Sequence, residues 1–399
     1  MLTPKKRLKE LDVLRATAIF LVVLFHLPTD LNLPMASVAA VGAALGYAIL
    51  FGMALFFFLS GFAIDLNNRG IATQADTGTF FRKRATRIYP LYGVALASSF
   101  LAILIILPFL HASLSEVVHS GLIDQQTYDL SLGGIVICFI GAQVLLGPRF
   151  INVPNRWFIG TILICYLLYP VIAYFGKDDV RRILLVSAAL ILCLLAARVT
   201  FNVVGADQLY LYFGFFVGGI MVRRTNLFYS GAAKKRVAAS FSLIVPVIIL
   251  AQLAQGFTRE GAVNVGLSPY VSDLINEAAY FVYQYAVGFL FVIVAFYVAK
   301  ARAPLLGKRA TAFFFYTATA SYAVFLFHQQ FVVGLRLVLE RALHLGVTEV
   351  AFIVIVIGLP VLFVVSFYEQ RAEPSAVTRI IYYVRSGSLW NRIWRFQRP

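Results

Sequence analysis

Long runs of apolar residues recur along this chain, and short polar segments separate them. A helix needs about 20 mostly apolar residues to cross a bilayer. Ten runs reach or approach that length, at about 11–30, 42–66, 88–110, 157–176, 181–199, 208–222, 237–256, 278–299, 312–341 and 347–368. An eleventh run, 131–147, is shorter and contains glycine. The pattern predicts an all-α polytopic membrane protein with about ten transmembrane helices and one re-entrant or interfacial segment.

The composition agrees with a chain that is embedded in a membrane. Of its 399 residues, 61% are hydrophobic and 13% are charged, against about 25% charged in soluble domains. The net charge of +16 would suggest a nucleic-acid partner for a soluble protein, but in a membrane protein basic residues collect on the cytoplasmic side. The predicted partner is therefore the lipid bilayer, and no nucleic acid is expected.

The basic residues also predict the orientation of the chain. If the segment 131–147 does not cross the membrane, 28 Lys and Arg residues face the cytoplasm and 6 face outwards. If it does cross, every later loop changes side and the division becomes 16 to 18. Only the first division follows the positive-inside rule. We therefore expect both termini in the cytoplasm and two sizeable outer loops, at 111–130 and 257–277.

The cysteines give no sign of a disulfide framework or a metal site. Cys138, Cys165 and Cys193 stand apart in apolar runs, without the C-x-x-C spacing of metal or redox motifs. We interpret them as packing residues and expect no metal. The N-terminal run imitates a signal peptide, but Arg15 and His26 inside it fit that interpretation poorly. We therefore take it as the first helix of the mature protein.

Arg15 and His26 in the first helix are the strongest indication of function. Eleven helical steps of about 100° return to nearly the same face, about 16 Å further along the axis. One stripe of the helix therefore carries a cation near its cytoplasmic end and an imidazole deeper in the membrane. A charge in the middle of a membrane helix costs about 2.5 to 3.5 kcal/mol, and such groups usually face a functional interior.

Four basic residues cluster just before the third predicted helix: Arg82, Lys83, Arg84 and Arg87. They admit two interpretations. The segment can be a cytoplasmic anchor that contacts lipid headgroups, or a polyanion clamp, because guanidinium groups bind phosphate in a bidentate way. Arg84 and Arg87 are three residues apart, so they share one face of a helix.

A second histidine, His328, lies in the ninth predicted helix, six residues after Tyr322. Counted from the cytoplasmic side, His328 and His26 lie after about 16 and 15 residues of helix, so the two imidazoles reach a similar depth. A single buried histidine is commonly a packing residue. Two at matched depth, one of them in register with an arginine, favour a shared functional site.

The chain resembles the acyltransferase-3 family of integral membrane enzymes that acylate sugars of bacterial surface polysaccharides. The matching pieces occur in the expected order: Arg15 and His26 in an R-x10-H spacing, FFFLSGF at 56–62, the RxxR pair Arg84 and Arg87 followed by Ile88, Tyr89 and Pro90, a Trp157 to Pro170 segment with Tyr166, Leu167 and Leu168, and SYAVFLFH at 321–328. Each piece is weak alone, and the ordered set is specific. One piece departs from the family, because Ile162 and Leu163 stand where many members have a glutamate.

The resemblance implies a single membrane acyltransferase domain over residues 1–370. Residues 371–399 carry six arginines among tyrosines and tryptophans, which predicts a basic, amphipathic cytoplasmic tail on the inner leaflet. The resemblance also implies a place in the bacterial inner membrane and a transfer from cytoplasmic acyl-CoA, most simply acetyl-CoA, to a hydroxyl of an extracytoplasmic or lipid-linked glycan. On this basis Arg84 and Arg87, with Arg82 and Lys83, are expected to bind the CoA phosphates. Arg15 is assigned to the donor channel, with Asp12 as its expected ion-pair partner.

The chemistry is assigned to the histidines. Acyl transfer needs a base for the proton of the acceptor hydroxyl, and we assign that role to His26. His328 and Tyr322 are expected to position the acceptor or the forming oxyanion. An acyl-histidine relay through His26 is the permitted variant. Two other classes stay open: a proton-coupled transporter or flippase that uses His26 and His328 as a relay, and a membrane sensor without turnover.

Overall fold

The computed structural model describes residues 7–34, 38–68, 74–109, 132–140, 156–177, 179–201, 207–230, 232–255 and 269–385. These residues are almost entirely α-helical. The helices are α1 (Lys9–Asp30), α2 (Ala39–Asn67), α3 (Gln74–Phe109), α4 (Leu132–Ile140), α5 (Arg156–Gly176), α6 (Val180–Phe201), α7 (Asp207–Thr225), α8 (Ala233–Ala254), α9 (Pro269–Arg302), α10 (Lys308–Ala342), α11 (Val347–Ile353) and α12 (Leu359–Arg385). A 3₁₀ turn, Ala303–Leu305, follows α9, and a π-helical turn, Val354–Gly358, joins α11 to α12.

The predicted class, an all-α polytopic membrane protein, is confirmed. Eight of the ten predicted spans fall inside a helix or, for the last, inside the continuous run of α11, the π turn and α12. The other two, 88–110 and 237–256, begin inside α3 and α8 and extend one or two residues past the ends of these helices. Within the described ranges, 7 helices are long and apolar enough to cross a membrane. The count of ten and the orientation stay predictions, as does the re-entrant segment, of which the structure describes α4. The outer loop 111–130 and residues 386–399 of the tail lie outside the described residues.

Two helices begin earlier than the hydropathy pattern predicts. Helix α3 begins at Gln74 rather than near 88, so the basic cluster lies on a helix and not in a loop. The reason is an apolar stripe through the basic segment, because Phe80, Ile88 and Leu91 recur at helical spacing and are all buried. Helix α9 begins at Pro269, and the predicted outer loop 257–277 is therefore shorter than expected.

Helix α1 occupies the centre of the described bundle. It packs against α2 on one side and α10 on the other, with a further contact to α9. Its buried residues Leu14, Ala18, Ile19 and Val22 recur every three or four positions, which is the spacing of one helix face. Because α1 carries Arg15 and His26, this packing places both inside the bundle.

Two glycines let α2 and α7 approach each other closely. A Cβ atom at Gly61 would overlap the carbonyl oxygen of Phe216, and one at Gly219 would overlap that of Phe58. Small residues at membrane helix interfaces permit this backbone contact, which is a main source of helix association in lipid. The contact fixes α2, and with it one wall of the site described below.

A buried ion pair joins the ends of the same two helices. The Arg224 guanidinium on α7 donates to both carboxylate oxygens of Asp65 on α2 over 2.6 to 2.8 Å, and the two side chains are 5% and 0% exposed. The Tyr169 hydroxyl on α5 donates to the same carboxylate over 3.3 Å. The pair thus ties α2, α5 and α7 together. The sequence pattern did not predict this ion pair, because Arg224 is one of several basic residues that follow a predicted membrane span.

Candidate active site

A cavity of about 300 Å³ lies between α1, α2, α3, α5 and α10, with one contribution from α12. Arg15, Arg84, Arg87 and Tyr322, which the sequence predicts as site residues, all line it. The cavity also receives Arg7 from the start of the described chain and Gln370 from α12. Its volume is at the lower end of the range of small-molecule sites, about 300 to 1,000 Å³. We call it the arginine cavity.

Arg84 is held on the cavity wall by aromatic rings. Its guanidinium carbon lies 5.6 Å from the ring centroid of Phe80 and 5.9 Å from that of Tyr166. The hydroxyl of Tyr166 is in turn 2.9 Å from Oγ of Ser60. Among the described residues, the buried Nε of Arg84 has no hydrogen-bond partner. A buried donor of this kind is costly unless a ligand satisfies it, so Arg84 fits an anionic group in the cavity.

Arg7 is a cavity residue that the sequence analysis missed, because it counted only as one of the topogenic charges before α1. Its Nε and Nη2 donate to Asp12 over 2.7 and 2.9 Å, and its guanidinium carbon lies 4.1 Å from the ring centroid of Phe315. The direct ion pair expected between Asp12 and Arg15 is made with Arg7 instead, and Asp12 acts on the Arg15 guanidinium only through its charge. Arg15 lines the cavity without an ion-pair partner among the described carboxylates.

Three other predicted site residues, Arg82, Lys83 and Tyr322, separate into two groups. Arg82 and Lys83 are exposed on α3 and do not line the arginine cavity. Tyr322 does line it, and its hydroxyl donates to the backbone carbonyl of Ile88 over 3.0 Å. The structure therefore groups Tyr322 with the arginines of the cavity. This position does not support the predicted role of Tyr322, which was to position the acceptor or the forming oxyanion next to the histidines.

The two histidines meet, as their matched depth predicts. The ring centroids of His26 and His328 are 5.2 Å apart, with an angle of 56° between the ring planes. His328 is 1% exposed, whereas His26 is partly exposed. The ring of His26 packs edge-on against Phe25, at 4.7 Å between centroids. We call these two residues the histidine pair.

Hydrogen bonds fix the orientation of both imidazoles. Nδ1 of His328 lies 3.0 Å from the backbone carbonyl oxygens of Val324 and Phe325. Nδ1 of His26 lies 2.7 Å from the amide nitrogen of Gln329. Gln329 directly follows His328 on α10, so one turn of that helix contacts both rings. The sequence analysis did not single out Gln329, because one amide in a membrane helix carries no motif.

Two charged residues extend this polar group. Asp30, one turn after His26 on α1, is 5% exposed, and Arg336, two turns after Gln329 on α10, is 1% exposed. The Asp30 carboxyl interacts with the Gln329 side chain and with the charge of Arg336. Arg336 also lies near Glu340, at 3.9 Å. Buried charges persist in proteins when they are paired. The interacting Asp30 and Arg336 side chains lie next to the histidine pair.

Three packed phenylalanine rings line the arginine cavity, and one of them, Phe325, also contacts the histidine pair. Phe325, Phe158 and Phe56 all line the cavity, and their centroids are 4.4 Å (Phe158 to Phe325), 5.9 Å (Phe56 to Phe325) and 6.1 Å (Phe56 to Phe158) apart. Phe325 also lies 6.1 Å from the ring of His328. The two candidate sites are therefore adjacent, and Phe325 of this phenylalanine triad contacts both.

The departure at Ile162 and Leu163 has a structural consequence. Ile162 is 3% exposed and lines the arginine cavity. None of the described residues that line the cavity is a carboxylate. Near the histidine pair, the Asp30 carboxyl interacts with Gln329, whose amide nitrogen lies 2.7 Å from Nδ1 of His26.

Comparison with known proteins gives one family match. The acyltransferase-3 family, defined by an acyltransferase domain, matches residues 8–369. No curated protein and no solved structure matches the chain. The match covers nearly the whole chain. It includes every residue of the arginine cavity and the histidine pair except Arg7 and Gln370. The first of these lies one residue before the matched range and the second one residue after it. The chain belongs to the acyltransferase-3 family.

Proposed function

We propose that this membrane acyltransferase transfers an acyl group, most simply acetyl, from cytoplasmic acyl-CoA to a hydroxyl of an extracytoplasmic or lipid-linked glycan. The observation that carries the proposal is the adjacency of the two sites. Three arginines from α1 and α3 line one cavity, and a single residue, Phe325, contacts both that cavity and the histidine pair. An acyl donor that is anionic at one end and reactive at the other matches this order, in which the arginine cavity is followed by Phe325 and then by the histidine pair.

The arginines are suited to the nucleotide end of acyl-CoA. Guanidinium groups bind phosphate oxygens through charge-assisted, often bidentate hydrogen bonds. Arg84 and Arg87 contribute two such groups from one face of α3, and Arg84 offers a buried Nε that lacks a partner among the described residues. Arg15, on the α1 stripe that leads to His26, lies on the route from the phosphates to the histidine pair.

The histidine pair is suited to the reacting end. Transfer to a hydroxyl requires removal of its proton and stabilisation of the charge that develops on the thioester oxygen. Both tasks can be performed by imidazole nitrogens, and the ring centroids of His26 and His328 are 5.2 Å apart. Burial next to apolar rings also keeps water away from a reactive thioester.

The test is direct. Purified protein in nanodiscs, incubated with acetyl-CoA that carries label in the acetyl group, should release free CoA and labelled acetate or ester. His26→Ala protein should do neither. Mass spectrometry of surface glycans from a strain without the gene would then identify the acceptor as a glycan that has lost an acetyl group. Absence of CoA release by the parent protein would contradict the proposal.

The same buried cluster also suits a second candidate, a proton-coupled transporter or flippase. His26, His328 and Asp30 lie within one polar group near Arg336, and such groups form proton relays in membrane pumps. A transporter would leave acetyl-CoA intact in the nanodisc assay. It would instead move protons across the membrane of proteoliposomes when its substrate is supplied.

A further inference from the structure

The hydrogen bonds of His328 determine which of its nitrogens carries the proton. Nδ1 faces two backbone carbonyl oxygens, those of Val324 and Phe325, each at 3.0 Å. A carbonyl oxygen can only accept, so Nδ1 must donate and must carry hydrogen. In the neutral imidazole Nε2 then has a free lone pair. This Nε2 is buried and has no hydrogen-bond partner among the described residues.

The hydrogen bond of His26 gives the opposite result. Its Nδ1 lies 2.7 Å from Nε2 of Gln329, and an amide nitrogen can only donate. Nδ1 of His26 must therefore accept, and in the neutral ring the hydrogen is on Nε2. The orientation of the amide is supported independently. The Asp30 carboxyl interacts with the same Gln329 side chain, and an amide donates to a carboxylate only through its nitrogen.

The neighbouring imidazoles thus differ in what they offer to a reactant. His328 offers a lone pair on Nε2, and His26 offers an N–H on Nε2. Their ring centroids are 5.2 Å apart, which brings both rings within the reach of one thioester group. Acyl transfer needs one group of each kind at a single carbonyl carbon, a base and a donor to the oxyanion.

On the basis of the proposed function, we propose that His328 is the general base and that His26 is the oxyanion donor, the reverse of the assignment made from the sequence. The acceptor oxygen forms a bond to the acyl carbon while its proton passes to Nε2 of His328. The N–H on Nε2 of His26 donates to the thioester oxygen. The carbon–sulfur bond then breaks, and His328 returns the proton to the CoA sulfur.

Gln329 and Asp30 are positioning residues in this scheme. Gln329 determines the tautomer of His26 by donating to Nδ1, and Asp30 holds the amide nitrogen in that direction. This arrangement gives the chain a carboxylate that acts on a histidine even though Ile162 and Leu163 occupy the segment where many relatives have a glutamate. The Asp30 carboxylate acts on His26 through the Gln329 amide. Because this amide donates to Nδ1 of His26, the favoured tautomer carries its hydrogen on Nε2.

The first experiment changes the tautomer of His26. In Gln329→Glu, made together with Asp30→Asn so that no second carboxyl shares a proton with the new side chain, the ionised carboxylate can only accept, so Nδ1 of His26 must carry the hydrogen and Nε2 loses it. We expect acetyl-CoA hydrolysis in nanodiscs to fall by at least about tenfold, given that one oxyanion donor is worth 10² to 10³ in turnover. If His26 were the base, the same substitution would free its Nε2 lone pair, and unchanged or faster hydrolysis would overturn the proposal. Gln208→Glu, at an exposed position of α7, is the matched control.

The second experiment separates base from oxyanion donor by changing the nucleophile, and it does not depend on how Gln329→Glu folds. Hydroxylamine attacks thioesters with little help from a base, whereas water needs one. Asparagine preserves the contact made by Nδ1 in either histidine. His328→Asn should lose acetyl-CoA hydrolysis by about 10² to 10⁴ but keep hydroxylaminolysis within about tenfold of the parent. His26→Asn should lose both reactions.

A control variant and the parent protein distinguish a failure of the base assignment from a failure of the proposed function. His344→Asn alters an exposed histidine with a φ of 55°, a conformation that asparagine tolerates, and it should behave as the parent. Equal losses of both reactions in His328→Asn, with acyl-CoA binding retained, would overturn the assignment of the base. A parent protein that cleaves acetyl-CoA with neither nucleophile would instead contradict the proposed function itself.

Discussion

The ring of Phe325 lies on the wall of the arginine cavity, and its centroid is 6.1 Å from that of His328. Both residues belong to one turn of α10, so the donor cavity and the imidazoles are linked through a single short piece of helix. Phe325 also packs against Phe158 at 4.4 Å between centroids. The rings of Phe325 and Phe158 therefore border the direct route of an acyl group from the cavity to His328.

This contact predicts that the phenylalanine triad limits the length of the acyl chain. Phe325→Ala removes the ring nearest to His328 and should widen the passage. We expect kcat/KM for hexanoyl-CoA relative to acetyl-CoA to rise by about tenfold, since one methylene in a tight pocket is worth about 1 to 3 kcal/mol. The matched control is Phe313→Ala, which removes an exposed ring on the same helix. An unchanged preference in Phe325→Ala would place the limit on chain length elsewhere.

A second prediction concerns the nucleotide end of the donor. Replacing Arg84 or Arg87 with glutamate should raise KM for acetyl-CoA by about one to two decades, because a charge-assisted hydrogen bond is worth about 1.5 to 3 kcal/mol. Acetyl-pantetheine lacks the nucleotide and should be nearly unaffected. Arg181→Glu, at an exposed position of α6, is the control. Equal losses with both donors would indicate a structural role for these arginines.

Much of this site could be predicted from the sequence because its residues follow helical geometry. Arg15 and His26 lie on one helix, so their alignment depends only on the rise and rotation of α1. Arg84 and Arg87 share a face for the same reason. The meeting of His26 with His328 followed from their equal depth in the membrane, a constraint that soluble proteins lack.

The residues that the sequence did not predict act through contacts between helices. Gln329 matters because it touches His26 on α1, and Arg7 because it reaches Asp12 and the cavity. Neither contact follows from spacing along one helix. The α3 segment shows a different limit: its basic residues lower the hydropathy and imitate a loop, while Phe80 and Ile88 keep it packed as a helix.

The role of His26 in chemistry rather than in binding gives a third prediction. His26→Ala should abolish acyl transfer, whereas the Kd for acyl-CoA should stay within a few-fold of the parent, because the arginine cavity does not include His26. Binding can be measured by calorimetry with a non-hydrolysable acetyl-CoA analogue. A loss of turnover below about 10² would demote His26 to a packing residue. A parallel loss of affinity would mean that His26 shapes the donor cavity.

A fourth prediction tests the orientation of the chain. In a variant without Cys138, Cys165 and Cys193, a cysteine at Lys177, Lys234 or Lys308 should be protected from an impermeant thiol reagent in intact cells. One at Ser120 or Val265 should react. The reason is the 28 to 6 division of basic residues, which holds only when 131–147 does not cross the membrane. Labelling of Lys234→Cys from outside would contradict the ten-helix orientation.

The last prediction concerns the stability of the bundle around the site. Asp65 and Arg224 are 0% and 5% exposed, so removal of either partner leaves an uncompensated buried charge. Such a change costs about 3 to 5 kcal/mol in soluble proteins, and replacing both partners by apolar residues costs much less. We therefore expect Asp65→Leu and Arg224→Met each to lower the thermal unfolding temperature in detergent more than the double variant does. The Arg181→Glu protein is again the surface control. Additive losses in the double variant would show that the two side chains stabilise α2 and α7 independently, and the ion pair would then not be the contact that ties these helices together.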